Sequence, residues 1–390
     1  MPALCYRTAG ESHGPAVAVL VENLPAGLSV ETELIDAELR RRQGGYGRGP
    51  RMAIEHDAVE FLTGVRKGRT IGSPLLMHIR NQDSRLDDAP ELNCPRPGHA
   101  DFAGAMKWLT TDCRETLERA SARETAARVA AGALAKSLLH EFGICCLGFV
   151  LEIGGWRATV PDDLPPQELK TRRAANDLYT PDAAAVEPMK KAIDAARQAG
   201  DTVGGVVEVR AFGLPPGLGS CLAWQDKLDG RLMQAVGSIQ AVKGVEIGLG
   251  FEAARRLGSQ VHDALHHDES QRSAASLGFV RTTNRAGGLE GGMTNGMLLV
   301  LRAAFKPIST LLQGMESVNL KTLQSQRSAY ERSDVCAVPA ASVVAENVVA
   351  FELARAFHDK FGRDTLTEMR AAHAFFLQAA RNLPTDSHLP

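Results

Sequence analysis

The amino-acid sequence predicts an α+β fold in which long helices cover antiparallel sheets. Its predicted strands and helices do not alternate regularly, which disfavours a parallel barrel or a doubly wound sheet. Apolar residues make up 44% and charged residues 23% of the 390 positions, a composition typical of globular proteins. No apolar run reaches the ~18 residues that a membrane-spanning helix needs. The length fits about two or three folding units or one large one.

The chain is predicted to begin with a strand followed by a helix. The apolar run at 15–21 predicts a buried strand, and apolar residues at helical spacing predict a helix over 32–42. Gly44 is expected to adopt a positive φ after this helix, as glycines commonly do at helix ends. A glycine-rich loop at 43–51 and a region of strands and turns at 53–80 follow.

Two long helices are predicted further along the chain. Ser121 and Glu124 have the spacing of a capping box, so an alanine-rich helix is expected from there to about His140. A second long helix is predicted over 341–361. Shorter helices are predicted at 188–199, with Pro188 in the first turn, and at 227–243. Strands are predicted at 144–153, 204–211 and 297–305.

Three polar segments are predicted to be surface insertions or long loops, at 81–101, 161–186 and 258–283. The last contains His262, His266 and His267, and this spacing could place two imidazoles on one helix face as metal ligands. The flanking residues are charged, which favours a solvated loop. No metal site is therefore predicted.

Cysteine usage and charge bear on the compartment and on partners. The seven cysteines are odd in number and include no C-x-x-C pair, which indicates free thiols and a cytoplasmic protein. The N-terminal residues lack the pattern of a secretory signal. The formal net charge of −2 gives no reason to expect binding to nucleic acid or to a membrane surface.

Glycine, arginine and histidine are nevertheless concentrated locally. Nucleotide-binding and hydrolase motifs such as G-x-G-x-x-G, a Walker A loop, H-E-x-x-H and G-x-S-x-G are absent. His13 lies between small residues in Gly-Glu-Ser-His-Gly, where it could approach a ligand and exchange protons near neutral pH. The residues of this segment alone favour the alternative, a turn histidine bonded to backbone.

The arginine clusters allow two interpretations. A guanidinium matches the geometry of a carboxylate or phosphate, but arginines at the end of a helix also suit the helix dipole. The dipole accounts for Arg40, Arg41 and Arg42 and not for Arg48, which lies in the glycine-rich loop. Arg123, near a helix start, needs an anion, which could be Glu124 or a ligand.

Two further segments are candidates for ligand binding. Arg96-Pro-Gly-His99-Ala-Asp101 could hold His99 rigidly beside a carboxylate, or could be a surface turn. The residues after the predicted strand at 297–305, Lys306 to Thr310, could bind phosphate through an amine and two hydroxyls. They could also form an ordinary exit from the strand.

Nine segments, in order along nearly the whole chain, together resemble the chorismate synthase family. Each segment is weakly diagnostic, but the ordered set is specific. The segments are GESHG (10–14), RRQGGYGRG (41–49), RPGHAD (96–101), RASARETAARVAAG (119–132), GDTVGG (200–205), IQAVKGVEIG (239–248), NRAGGLEGGMTNG (284–296), KPISTL (306–311) and RSDVCAVPAASVVAE (332–346).

The resemblance implies an enzyme of the shikimate pathway, a carbon–oxygen lyase that forms chorismate and phosphate from 5-enolpyruvylshikimate 3-phosphate. The reaction is an anti-1,4-elimination that requires reduced FMN without net redox change, because the flavin gives an electron transiently and recovers it. The family also implies one domain over 1–390, helices sandwiched between antiparallel sheets, and a homotetramer. No flavin-reductase domain is evident, so NADPH is expected to act only indirectly, through an external source of reduced flavin.

The resemblance also implies roles for individual residues. His13 should protonate or stabilise the departing phosphate, His99 should protonate reduced FMN or tune its charge, and Asp334 should lie near flavin N5 and assist removal of the ring proton. Arg42 and Arg48 match positions for substrate or NADP, with substrate favoured, and Arg123 is grouped with them. The positions that match flavin-binding residues are Arg119, Ala120, Ser121, Gln240, Ala241, Gly291, Lys306, Pro307, Ile308, Ser309, Thr310 and Arg332.

The chain departs from the family pattern at three places. Met297 stands where the family often has Glu, Trp108 stands where Tyr is common, and the stretch at 258–283 is longer than in many members. Two other classes of function remain open: a non-catalytic protein that binds flavin or sugar phosphate on the same scaffold, and a metallohydrolase that uses the histidines at 262–267.

Overall fold

Two long helices form the centre of the fold. The computed structural model describes residues 3–49, 56–328 and 333–383. Helix α4 (Thr125–His140) packs along helix α8 (Val338–Phe361), and nearly every residue of α8 is buried. A helix that is apolar on all sides must be covered on all sides, which the surrounding sheets and helices accomplish.

The two helices lie between two antiparallel sheets. The first sheet has the order β1 (Cys5–Gly10), β2 (Ala16–Glu22), β6 (Leu75–Arg80) and β3 (Glu60–Thr63), and α4 packs on it. Buried and partly buried residues alternate along β2, as expected of a strand with one face on the core. The second sheet packs on α8. Its order is β10 (Val242–Ile247), β15 (Leu299–Phe305), β9 (Gly205–Phe212), β7 (Cys145–Ile153) and β8 (Trp156–Arg157).

The remaining elements surround this sandwich. The other helices are α1 (Thr32–Gln43), α2 (Asp101–Trp108), α3 (Arg114–Ala120), α5 (Pro166–Ala174), α6 (Ala183–Gln198), α7 (Leu228–Gly237) and α9 (Leu366–Asn382). Small antiparallel hairpins are formed by β4 (Val65–Arg66) with β5 (Arg69–Thr70), β11 (Leu265–His267) with β12 (Phe279–Arg281), β13 (Leu289–Glu290) with β14 (Met293–Thr294), and β16 (Glu316–Val318) with β17 (Ser325–Arg327). None of the helices in the described ranges is both long and apolar enough to traverse a bilayer.

The predicted α+β class and the antiparallel pairing of the sheets are confirmed. Several helix boundaries were predicted wrongly. Helix α6 begins at Ala183, capped by the Asp182 carboxylate, so Pro188 lies inside it and not in its first turn. The helix predicted over 227–243 ends at Gly237, because the chain must turn into β10.

Two predictions about helix termini were also wrong in detail. Gly44 has φ −76°, and the positive φ of 105° falls on Gly45, where a side chain would contact Pro339. The capping box at Ser121 is only half formed. The Ser121 hydroxyl accepts from the Arg123 N–H, but tertiary partners bind the Glu124 carboxylate, and a 3₁₀ turn over Ala122–Glu124 precedes α4.

Helix α9 was not predicted at all, although Thr365 and Glu368 form a complete capping box at its start. The segment 258–283, predicted to be a loop, contains the hairpin of β11 and β12. The predictions that concern residues 50–55, including the loop end at 51, lie outside the described residues.

Candidate active site

A pocket of about 600 Å³ lies beside the N-terminal ends of α4 and α8. Among the described residues that line it, five are Arg or Lys and one is Asp, in a protein whose net charge is −2. Helix N-termini add positive potential, so the pocket suits a ligand with several anionic groups. The charged lining residues are Arg42, Arg48, Arg96, Arg123, Lys306 and Asp334.

The rest of the lining is largely apolar and comes from distant parts of the chain. The apolar contributors include Leu117, Val203, Ile239, Phe305, Val338 and Val344. A cavity of similar volume, about 630 Å³, lies between α5 and α6 and contains none of the predicted site residues. The first pocket is therefore the candidate site.

His13 lies in the turn between β1 and β2 and is held firmly, although glycines surround it in sequence. It is 8% exposed, and its Nδ1 lies 2.8 Å and 3.0 Å from the two carboxylate oxygens of Glu118 on α3. The His13 backbone N–H also donates to Glu118, at 2.9 Å. This one carboxylate therefore holds both the ring and the backbone of His13.

The Glu118 carboxyl is ionised in this arrangement. Burial by itself would raise its pKa, but the hydrogen bond and charge of His13, with a smaller contribution from Arg114, lower the pKa below its usual value. On the other side of the ring, His13 Nε2 lies 3.7 Å from the Asp83 carboxylate. That separation exceeds a direct hydrogen bond.

His99 precedes α2 and contacts both Arg96 and Asp101. Its Nδ1 makes a short contact with Asp101 and lies 2.9 Å from an Arg96 amino group. Asp101 also accepts from the Arg96 Nε at 2.8 Å. Burial opposes ionisation of Asp101, but hydrogen bonds from His99 and Arg96 and their charges bring its pKa well below the usual range. The segment 96–101 therefore contributes to the wall of the pocket and is not a surface turn.

Arg42 and Arg123 share one buried carboxylate. Asp57 accepts from Arg42 at 2.6 Å through one oxygen and from Arg123 through the other. Burial would raise the pKa of Asp57, but the two guanidinium groups lower it overall. Burial and the charge of Arg123 also lower the pKa of Arg42 against the opposing effect of Asp57. Both guanidinium groups also line the pocket, where an anion could meet them.

Asp334 faces Arg48 and the glycine-rich loop. Its carboxylate pairs with Arg48 at 2.6 Å and accepts from the Gly49 N–H at 2.7 Å. It does not cap α8, because the N-cap residue of that helix is Ala337 and the cap has no side-chain hydrogen bond. Asp334 therefore contacts the glycine-rich loop and not the helix terminus.

The positions predicted to bind flavin divide into two groups. Those that line the pocket are Ala120, Ser121, Gln240, Ala241, Lys306, Ile308, Ser309 and Thr310. Arg119, Pro307 and Gly291 are not among the lining residues. Arg119 donates to the Thr8 and Gly10 carbonyls, and Gly291 lies in the turn between β13 and β14. Arg332 lies outside the described residues.

Two groups in the lining are suited to a polar aromatic cofactor with phosphate. The Gln240 Oε1 atom is buried and accepts no hydrogen bond from the described residues, so a donor on a bound ring would satisfy it. Lys306 donates to the Gly98 carbonyl, and burial, with the nearby charge of Lys243, lowers its pKa. An anion beside Lys306 would offset this effect. The residues present therefore fit FMN.

Sequence reasoning missed Glu118, Asp57 and Asn81, whose amide oxygen accepts from the Arg123 Nε at 2.7 Å. None has a local signal, since each partner is distant along the chain. The histidines at 262–267 lie outside the pocket: His266 and His267 are exposed on β11. No cluster of three or more potential metal ligands occurs in residues 3–49, 56–328 and 333–383.

Comparison with known proteins places these features in context. A family profile described as chorismate synthase matches residues 4–358. The chorismate synthase of Geotalea daltonii is 53% identical, and that of Geobacter sulfurreducens is 54% identical; each alignment covers 97% of this chain and 99% of the relative. A crystal structure of a chorismate synthase superimposes with a TM-score of 0.80 at 40% identity, over 98% of this chain and 99% of the other.

Proposed function

The chain belongs to the chorismate synthase family, and we propose that the pocket containing His13, His99 and Asp334 is where it performs the family reaction. That reaction, a carbon–oxygen lyase step of the shikimate pathway, eliminates phosphate from 5-enolpyruvylshikimate 3-phosphate to give chorismate. The observation that carries the proposal is the convergence of five cationic side chains and both histidines on one pocket of an otherwise near-neutral protein.

The cationic groups would bind the substrate, which carries two carboxylates and a phosphate. Arg42 and Arg123 are pre-oriented by Asp57, so little side-chain entropy remains to be lost when they meet an anion. Arg48 is similarly held by Asp334. We assign these three arginines to the substrate and not to NADP.

His13 would act on the phosphate as it leaves. Its Nδ1 is occupied by Glu118, so Nε2 is the atom from which a proton can pass to a phosphate oxygen. Asp334 would accept the proton that leaves the substrate ring. Arg48 and the Gly49 N–H hold its carboxylate in place.

Reduced FMN, when bound, would supply an electron to the substrate as the allylic phosphate leaves and regain it, so that no net oxidation occurs. Gln240, Ala241 and the 306–310 segment are the residues that would hold it, with the Ala120–Ser121 turn beside them. His99, oriented by Asp101, would donate a proton or hydrogen bond to the ring. NADPH would enter only through a separate flavin reductase. We further propose a cytoplasmic homotetramer.

The test is an anaerobic assay with dithionite-reduced FMN that follows chorismate absorbance and phosphate release. We expect His13→Ala to lower kcat about 10²–10⁴-fold, the usual effect of losing one acid or base, while FMN affinity stays near the wild-type value. His262→Ala, the same change at an exposed histidine outside the pocket, is the control and should leave kcat unchanged.

Equal turnover in His13→Ala and the wild type would overturn the role of His13. FMN binding without any chorismate formation by the wild type would support the non-catalytic alternative. Loss of activity on chelation would instead support metal-dependent chemistry.

A further inference from the structure

The Glu118 carboxylate binds both the backbone and the ring of His13. One oxygen, Oε2, accepts from both the His13 backbone N–H and the ring Nδ1, at 2.9 Å and 2.8 Å. The other oxygen lies 3.0 Å from Nδ1. In addition, the Ser12 backbone N–H donates to the Glu118 carbonyl at 3.1 Å. Backbone and side chain of one residue on α3 thus bind the turn that carries His13.

This arrangement distinguishes the two ring nitrogens of His13. An ionised carboxylate only accepts hydrogen bonds, so the proton must reside on Nδ1 in the neutral ring. Nε2 is then the acceptor in the neutral ring and the donor in the charged ring. In the described part of the chain Nε2 makes no hydrogen bond, and the Asp83 carboxylate lies 3.7 Å from it.

Two carboxylates lie close to the ring nitrogens of His13. Glu118, from α3, and Asp83, from the loop after β6, lie on opposite sides of the imidazole. Two cations pair with these carboxylates: Arg114 lies 3.7 Å from Glu118, and Arg85 lies 3.0 Å from Asp83. The carboxylate nearest the ring is buried, where its charge is weakly screened.

We propose that Glu118 is a positioning residue for the elimination: it holds His13 with Nδ1 toward α3, and its charge stabilises the protonated ring that transfers a proton from Nε2 to the departing phosphate. This proposal rests on the role of His13 proposed above. It adds that the role depends on a residue that is 105 positions away in sequence and does not line the pocket.

Glu118→Gln separates charge from geometry. Because a single oxygen accepts both bonds from His13, the one oxygen of a glutamine amide can keep both, so the ring orientation is retained and the charge is lost. Glu115→Gln is the matched control, since Glu115 is exposed on the same helix. The experiment measures the pH dependence of kcat, the KM, the FMN affinity and the melting temperature of each variant.

We expect Glu118→Gln to lower kcat about tenfold at neutral pH, with little change in KM or FMN affinity. The midpoint of the pH–rate profile should move about one unit toward lower pH, because a lost neighbouring anion disfavours a protonated ring. Activity should therefore recover on acidification. In a His13→Ala background, Glu118→Gln should cause no further loss, since both changes remove the same function. Glu115→Gln should behave as the wild type.

The proposal is overturned by a loss in Glu118→Gln that is equal at all pH values, or by a loss that adds to that of His13→Ala. A normal rate in Glu118→Gln, together with a large loss in His13→Ala, would also refute the role of Glu118 while leaving that of His13 intact. A normal rate in His13→Ala would refute both.

Discussion

At the scale of single residues, the histidines and arginines of the pocket share one arrangement: a carboxylate fixes the direction of each, whereas Lys306 donates to the Gly98 carbonyl. His13 is oriented by Glu118, and His99 by Asp101. A charged pair costs desolvation free energy in the interior, and its retention here is explained by the need for pre-oriented side chains. The arginines follow the same rule in the pairs Arg48–Asp334, Arg42–Asp57 and Arg123–Asp57.

Asp334 offers a sharp test at this scale. Asp334→Asn should keep the bond from the Gly49 N–H but lose the charge beside Arg48 and the ability to accept a proton. We expect kcat to fall by about 10² or more, while the melting temperature and FMN affinity stay near the wild-type values. Stopped-flow measurement of chorismate formation under anaerobic conditions gives the rate. Asp163→Asn, at an exposed position, is the control.

A near-normal rate in Asp334→Asn would remove Asp334 from the chemistry. A fall in melting temperature comparable to the loss of activity would point to a structural role for its pairing with Arg48.

At the scale of elements, the packing of α4 against α8 depends on a glycine. A Cβ at Gly132 would lie 2.2 Å from the Asn347 carbonyl oxygen and 2.5 Å from its carbon. Both are backbone atoms, which cannot move without displacing the helix. The pocket lies at the N-terminal ends of these two helices, so their separation also affects the position of its lining.

Gly132→Ala should therefore destabilise the protein, in contrast to the usual effect of replacing glycine in a helix. We expect a loss of about 1–3 kcal/mol or more from overpacking. Gly230→Ala in α7 is the matched control: its Cβ would meet no atom within 4 Å, and it should gain up to ~1 kcal/mol. Urea unfolding at fixed protein concentration measures both.

A neutral or stabilising effect of Gly132→Ala would show that α4 and α8 can separate without cost. A loss in Gly230→Ala would show that glycine replacement is harmful here for reasons unrelated to helix packing.

At the scale of the whole molecule, buried carboxylates tie the layers together. Glu346 on α8 accepts from Arg41 of α1, Lys136 of α4, Arg173 of α5 and the Gly148 N–H of β7. Burial would raise the pKa of Glu346, but Arg173, Arg41 and Lys136 bring it well below the usual value. One side chain of α8 thus links three other helices to a strand of the second sheet.

These groups predict that stability falls on acidification. A carboxyl whose pKa is lowered in the folded state stabilises that state above its unfolded pKa of about 4, and this contribution is lost as the pH falls through and below that value. Burial lowers the pKa of His358 and His373 in the folded state. Below about pH 6.5 the unfolded state therefore binds protons at these histidines more readily, which reduces the stability of the folded state. The other carboxyls with lowered pKa and substantial burial are Glu38, Asp57, Asp101, Glu118 and Glu124.

We expect the free energy of unfolding, measured by urea titration, to decline gently from pH 7 to about 5 and steeply from about 5 to 3. A flat profile, or one that rises on acidification, would contradict the assignment of these carboxyls as ionised and paired.

Much of the fold and part of the site could be predicted from local patterns. Alternation and helical spacing located most strands and helices, and the ordered motifs named His13, His99 and Asp334 as neighbours of a single site. The predicted helix boundaries were wrong where tertiary contacts outweigh local patterns. The Glu124 carboxylate binds Thr8, Arg128 and Gln240 and does not complete the capping box. Helix α7 ends earlier than predicted because β10 pairs with β15.

The sequence by itself determined the fold class, the family and the residue types that line the pocket, because periodicity, turn chemistry and ordered motifs are local properties of the chain. Only the tertiary structure decided how those residues are held. The partners Glu118, Asp57 and Asn81 leave no local signal, and the positive charge of the pocket emerges when loops far apart in sequence converge on the ends of α4 and α8. Orientation and electrostatic potential depend on distances across the fold, which a linear pattern does not contain.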